Sequence, residues 1–278
     1  MRPPIDGGTL LITGASAGIG RAIARELSAR AGRLVLVARR EDRLRALAQE
    51  LQAALPDLPV HVVPCDLTDH AARDAMLERV ATEAGPVDVL VNNAGVGQMG
   101  MFDASDWAWL ERLITLNVTA ALHLAHRLLP SMLARGRGGI LNVSSGFGLE
   151  FMPGFAGYAG AKHFVSAFSE SLRLEVRDRG VVVTHLCPGP VETEFIEVMG
   201  NPAGREPPAL VRISAERCAR IAVRGFDRGR ALVVPGVAMK LLLGLGAVSP
   251  RFLKRFLYRP IAPTLRRLEA SQGRAPGT

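Results

Sequence analysis

Short runs of aliphatic and β-branched residues alternate with longer stretches in which apolar residues recur every three or four positions, up to about residue 190. The apolar runs predict strands at Thr9–Thr13, Arg33–Ala38, Val60–Cys65, Val87–Val91, Gly139–Ser144 and Val181–Cys187, with a shorter seventh at Ala231–Val234. Most positions within them are apolar, as strands buried on both faces require. The intervening stretches predict helices over 18–31, 42–54, 69–84, 104–134 and 157–179, and a later one over 214–226. The interval 104–134 is long enough to hold a bend or two helices. This alternation predicts an α/β, doubly wound fold: a mostly parallel seven-stranded sheet with helices on both faces.

The rhythm breaks after Cys187. Residues 194–209, EFIEVMGNPAGREPPA, read as a mobile loop with one short helix, and the interval 194–213 is expected to be a substrate lid. Residues 237–267 form an apolar and basic C-terminal extension. Its longest apolar run is broken by Lys240 and Pro250, too short to span a bilayer, which leaves peripheral membrane contact by a surface-lying helix pair, or cover for an active site. Residues 268–278 read as a disordered tail, and 1–267 as a single catalytic domain.

With 48% hydrophobic and 22% charged residues the chain has a globular, not a disordered, composition. The net charge of +8 is unevenly spread: residues 1–204 hold 19 basic and 22 acidic side chains, and 205–278 hold 15 and 4. The basic character therefore belongs to the last quarter, as a solvated Arg-rich surface or a contact with an anionic membrane, ligand or partner. No helix-turn-helix, zinc module or aromatic-interleaved basic motif is present, so nucleic acid is not expected. Cys65, Cys187 and Cys218 show neither disulfide nor zinc spacing, and the start MRPPIDGG lacks a secretory apolar stretch, which predicts a cytoplasmic protein. His123 and His126 lie three apart on a helix with no evident third ligand, so no metal is expected.

Chemistry enters right after the first strand, where TGASAGIG places Gly14, Gly18 and Gly20 between strand and helix. Such a turn lets backbone approach a pyrophosphate at the positive end of a helix. The second strand ends LVLVARR, where an acidic residue would hold the ribose 2′-hydroxyl of NAD; Arg39 and Arg40, with the hydroxyl of Ser16, suit the 2′-phosphate of NADP instead. Lysine is rare, with Lys162, Lys240 and Lys254 among 34 basic residues, and the tyrosines are Tyr158 and Tyr258. Yet Tyr158-Ala-Gly-Ala-Lys162 sets a phenol and an ammonium one helical turn apart. A phenol must be made more acidic by roughly 4 kcal/mol to work as a base at neutral pH, and a nearby ammonium in a shielded site supplies on the order of that.

Residues 8–235 resemble the short-chain dehydrogenase/reductase family, of Rossmann-like fold. TGASAGIG, including Ile19, is similar to its glycine signature, Asp66 to its adenine-contacting acid, and Asn92-Asn93-Ala94-Gly95 to its NNAG segment. Asn117 resembles its helix asparagine and Ser145 its catalytic serine, with Ser144 the alternative neighbour. Pro188-Gly189-Pro190-Val191-Glu192-Thr193 is similar to its PGxVxT turn. The resemblance implies an NADP(H)-dependent oxidoreductase interconverting a carbonyl and a secondary alcohol. Ser145 would bond the substrate oxygen, Tyr158 would give or take its proton, Lys162 would lower the Tyr158 pKa and hold the ribose, and Asn117 would anchor a water leading protons to Lys162. Val191 and Thr193 would fix the nicotinamide carboxamide. Ala17 stands where a basic residue often assists NADP, so the coenzyme preference rests mainly on Arg39. The resemblance also implies a homodimer or homotetramer.

Met99, Met101, Phe102, Phe147, Leu149, Phe151 and Phe155, with Val198 and Met199 of the lid, are expected to line a pocket for a small-molecule substrate, a bulky hydrophobic carbonyl or alcohol. The competing reading is a catalytically idle NADP-binding sensor or scaffold, which need not keep Ser145, Tyr158 and Lys162.

Overall fold

The computed structural model describes residues 1–199 and 208–271. The first half of the chain runs β1 (Thr9–Thr13), α1 (Gly18–Ser28), β2 (Arg33–Ala38), α2 (Glu41–Ala54), β3 (Val60–Pro64), α3 (His70–Glu83) and β4 (Val89–Asn92). It continues through α4 (Trp107–Ile114), α5 (Ala121–Ala134), β5 (Gly138–Val143), α6 (Ala156–Val176) and β6 (Val181–Leu186). Two-residue strands β7 (Val191–Glu192) and β8 (Ile213–Ser214) pair with each other around α7 (Phe195–Met199), and α8 (Ala215–Asp227) leads to β9 (Leu232–Val233).

Seven strands form one sheet in the order β3-β2-β1-β4-β5-β6-β9, every pairing parallel. Within β1, Leu10 and Ile12 pack toward α1, α2 and α8 while Leu11 packs toward α3, α5 and α6, so the strand is apolar on both sides. The expected α/β fold is thus the observed one, with strand ends within two residues of those predicted. The interval 104–134 holds two helices, one of the two expected alternatives: α4 and α5, joined by a π-helical turn, Thr115–Ala120.

Beyond β9 lie three helices where a pair was expected: α9 (Val237–Val248), α10 (Arg251–Tyr258) and α11 (Ile261–Ser271). Pro250 and Pro260 stand at the breaks, where the missing N–H costs least. Residues 268–271, expected in a disordered tail, are the last turn of α11; 272–278 lie outside the described residues, as do 200–207 of the expected lid. No described helix is long and apolar enough to cross a membrane.

Candidate active site

The order of the sheet reverses between β1 and β4, and in such folds a crevice opens outside the carboxyl ends at that point. Gly14 leaves β1 with φ +65°, and a Cβ there would lie 2.7 Å from Asn93 Nδ2 and 2.9 Å from Ala94 Cα. Only glycine fits. Asn93 Nδ2 donates to Thr13 O at 2.9 Å and Gly14 O at 3.3 Å, while Thr13 Oγ1 accepts from the Asn93 and Ala94 amides. Gly20 backs onto the same Asn93 side chain. Helix α1 starts at Gly18 with no side-chain cap and no acid in its first turn, so its leading amides stay free for an anion.

Past β2, Arg39 and Arg40 border the crevice. Arg40 Nη2 donates to Ser16 Oγ at 3.3 Å and its Nη1 to Glu194 Oε2 at 2.9 Å; Arg43 grips the other oxygen of Glu194. Hydrogen bonds from Arg40 and Arg43 hold the Glu194 carboxyl below its ordinary range. Asp66 follows β3 and accepts from the Thr68 amide at 3.0 Å and hydroxyl at 2.8 Å. Burial opposes its charge, but these bonds and nearby Arg112 win and its pKa falls. Such a donor set fits a dinucleotide: amides for pyrophosphate, guanidinium groups for a 2′-phosphate and a carboxylate for adenine.

Ser145 follows β5, and Tyr158 and Lys162 lie one turn apart on α6, all three lining the same cavity. Ser145 Oγ accepts from the Phe147 amide at 3.2 Å, and its side chain favours the ionised form of the Tyr158 phenol. Ser144 Oγ instead donates to Lys162 O at 2.9 Å and meets Ser166 Oγ at 2.8 Å, which commits it to holding α6. Lys162 Nζ donates to Val143 O at 3.0 Å and lies 5.9 Å from the centre of the Tyr158 ring. Burial pushes the Tyr158 phenol up to about 12, with Ser145 pulling back, and pushes Lys162 down to about 8. The Lys162 ammonium, expected to acidify Tyr158, is turned to a backbone carbonyl, and lost hydration is the largest influence on the phenol. Asn117 sits in the π turn, donating to Val96 O at 2.8 Å and Leu113 O at 3.0 Å. Its Oδ1 is buried without a partner among the described residues and, like Lys162 Nζ, adjoins the α-carbon of Gly95.

The cavity, of about 910 Å³, runs from the glycine turn past Pro188, Gly189, Val191 and Thr193 to the C-terminal helices. Met99, Phe147, Phe151, Phe155 and Met199 line it as expected, joined by Phe195. Met101, Phe102 and Leu149 do not: Phe102 is exposed in a separate turn. The Val198 side chain lies outside the described residues. Phe147 stacks on Phe155 at 4.2 Å between centroids and meets Tyr158 edge-on at 6.1 Å. From α9, Met239 covers the PG turn and the loop after Ser145, so close that a Cβ at Gly189 or Gly146 would come within 2.8 or 2.7 Å of it. From α10, Lys254 donates to both oxygens of Glu150 at 2.6 and 2.8 Å, in a pair almost closed to water. The extension thus walls the apolar end of the cavity.

Residues 8–201 match the model of the short chain dehydrogenase family. The chain belongs to that family. An uncharacterized oxidoreductase of Myxococcus xanthus is 41% identical over 190 residues, covering 67% of this chain and 73% of the relative. The sulfoacetaldehyde reductase of Chromohalobacter salexigens is 39% identical over 191 residues, with the same coverage of 67% and 73%. Among solved structures, a short-chain dehydrogenase from Sphingobium yanoikuyae in complex with NADPH superposes with a TM-score of 0.76 at 33% identity, covering 88% of this chain and 97% of that one. The bulky-bulky ketone specific alcohol dehydrogenase of Comamonas testosteroni gives 0.73 at 28% identity, over 88% and 95%. A 3-ketoacyl-(acyl-carrier-protein) reductase of Brucella melitensis complexed with NADH gives 0.73 at 25% identity, over 84% and 97%.

Within this short-chain dehydrogenase the sequence reading missed a polar chain beneath the site. Asn92 Nδ2 donates to Asn142 Oδ1 at 2.9 Å, and Asn142 Nδ2 to Ser169 Oγ at 2.9 Å, which fastens α6 to β4 and β5. An asparagine inside each of two otherwise apolar strands was the available signal. The sequence also showed no third ligand for His123, whereas the fold brings His70 and Asp74 beside it. Arg73 Nε donates to His123 Nδ1 at 3.2 Å, and the other ring nitrogen, Nε2, lies 3.5 Å from Asp74 Oδ1.

Proposed function

We propose that the protein reduces a bulky apolar ketone or aldehyde to its alcohol, reversibly, with NADPH as the coenzyme. The observation that carries this reading is the convergence of Ser145, Tyr158 and Lys162 between a dinucleotide-shaped crevice and an aromatic, methionine-rich chamber. Bound NADPH would supply hydride to the carbonyl carbon. Gly14, Gly18, Ile19 and Gly20 would hold its pyrophosphate end, Ser16, Arg39 and Arg40 its 2′-phosphate, and Asp66 its adenine. Asn93, Ala94 and Gly95 would flank its ribose, and Pro188, Gly189, Val191 and Thr193 its carboxamide. Ser145 would fix the substrate oxygen, and Tyr158, protonated with a pKa near 12, would donate to that oxygen as negative charge grows on it. Lys162, near 8, would return a proton to Tyr158 and bond the ribose, fed by a water on Asn117 Oδ1.

The bulky-bulky ketone preference of the Comamonas enzyme and the NADPH of the Sphingobium enzyme support the substrate class and the coenzyme. Residues 194–213 would serve as the lid. Leu122 on α5 and Phe164 and Leu174 on α6, exposed on outward faces, support a homo-oligomer, and three buried free cysteines support a reducing cytoplasm. The test is single-turnover oxidation of NADPH with hydrophobic ketones by wild type and Tyr158→Phe. Loss of turnover with NADPH binding retained is expected. Equal behaviour of the two proteins with every carbonyl would favour the idle sensor, and activity confined to small polar sugars would end the substrate assignment.

A further inference from the structure

Four leucines of the C-terminal extension are at once wall and surface. Leu242 and Leu245 on α9 and Leu253 and Leu257 on α10 line the cavity, yet are 56%, 67%, 40% and 59% exposed. The apolar chamber therefore opens between these two helices, and its rim is itself apolar. Outside the rim, Leu241, Val248, Phe252 and Phe256 are exposed without touching the cavity. Isolated exposed apolar side chains are ordinary, but a contiguous set marks a binding surface.

Charge selects the occupant. No aspartate or glutamate occurs between Asp227 and Glu269, and Arg251 and Arg255 on α10 and Arg259 at its C-terminal end follow one another at four-residue spacing, all exposed, with exposed Lys240 on α9. Lys254, the cation turned inward, is matched by Glu150. A second copy docking by a twofold contact would bring two such cationic stripes together. An anionic lipid surface neutralises them and takes up the phenylalanines and leucines between. No described helix is both long and apolar enough to span, so the contact lies in the interface plane.

We infer that α9 and α10 dock on an anionic membrane surface with the mouth of the cavity facing the lipid. Resting on the proposed function, this makes lipid the phase from which an apolar substrate enters, without crossing water. The full-length protein is sedimented with phosphatidylcholine vesicles, with and without phosphatidylglycerol, and no substrate is present. Pelleting with the anionic vesicles alone is expected, weakened by salt and by about tenfold or more in either Phe252→Glu/Phe256→Glu or Arg251→Glu/Arg255→Glu. Turnover of a water-soluble carbonyl stays at the wild-type level in both variants. Should the variants fail to fold, amide-exchange protection of 241–257 in wild type on anionic vesicles carries the test, and absence of protection overturns the proposal. So does wild type that stays in the supernatant, or variants that pellet equally. Wild type that ignores vesicles while the variants lose oligomer mass identifies a second copy as the occupant instead. Because sedimentation needs no catalysis, a protein that pellets but reduces no carbonyl would refute the proposed function and leave the docking intact.

Discussion

Glu194 and Arg40 form an ion pair at 2.9 Å, Oε2 to Nη1, while the same guanidinium reaches Ser16 Oγ at 3.3 Å. Arg43 shares the carboxylate. In the proposed NADPH complex the 2′-phosphate competes with Glu194 for these cations. Glu194→Gln is therefore expected to tighten NADPH binding by about threefold to tenfold and to leave NADH unchanged, in fluorescence titrations of both. An equal gain for the two coenzymes would refute the competition.

Arg40→Ala tests the other side of that pair. Losing a charge-assisted bond to phosphate is expected to raise the Kd for NADPH by about tenfold to a hundredfold and to change that for NADH little. Parallel loss for both coenzymes would place Arg40 on a group they share.

Lys162 offers a stability measurement with a definite sign. Burial lowers its pKa from 10.5 to about 8, so the folded protein releases this proton before the unfolded chain does. Below pH 8 both states are charged and the fold bears the full cost of burying an ammonium, on the order of 3 kcal/mol. As pH rises from 8 to 10.5 that cost disappears. Lys162→Met is expected to melt higher than wild type at pH 7, by an amount that shrinks toward pH 10, while losing activity. A constant difference across that range would disprove the shift.

Lys254→Ala would strand the Glu150 carboxylate where water barely reaches it. A loss of about 3 kcal/mol in chemical denaturation is expected, and Lys254→Met combined with Glu150→Leu should recover most of it. A single variant as stable as wild type would show that α10 moves away and rehydrates the acid.

Much of the fold was legible because its signals are short-range. The run Thr9-Leu10-Leu11-Ile12-Thr13 is apolar on both sides of the strand, and a parallel sheet is the architecture that buries both. Gly14 needs its left-handed φ because Asn93 and Ala94 press against it, and Tyr158 and Lys162 share a helix face by spacing alone. The π turn at Asn117 was hidden, since a shift in the hydrogen-bond ladder leaves no periodic mark. So were β7 and β8, whose two residues each are too few to show alternation.

The amino-acid sequence by itself determined the layers, the glycine turn and the residue types offered for catalysis, because propensity, periodicity and helical spacing act over a few residues. Tertiary structure alone decided which way Lys162 points, that Lys254 meets an acid 104 residues away, and which leucines of the extension face the cavity. Those outcomes depend on which distant groups exclude water from a side chain. Hydration, as well as identity, sets where a phenol or an amine titrates.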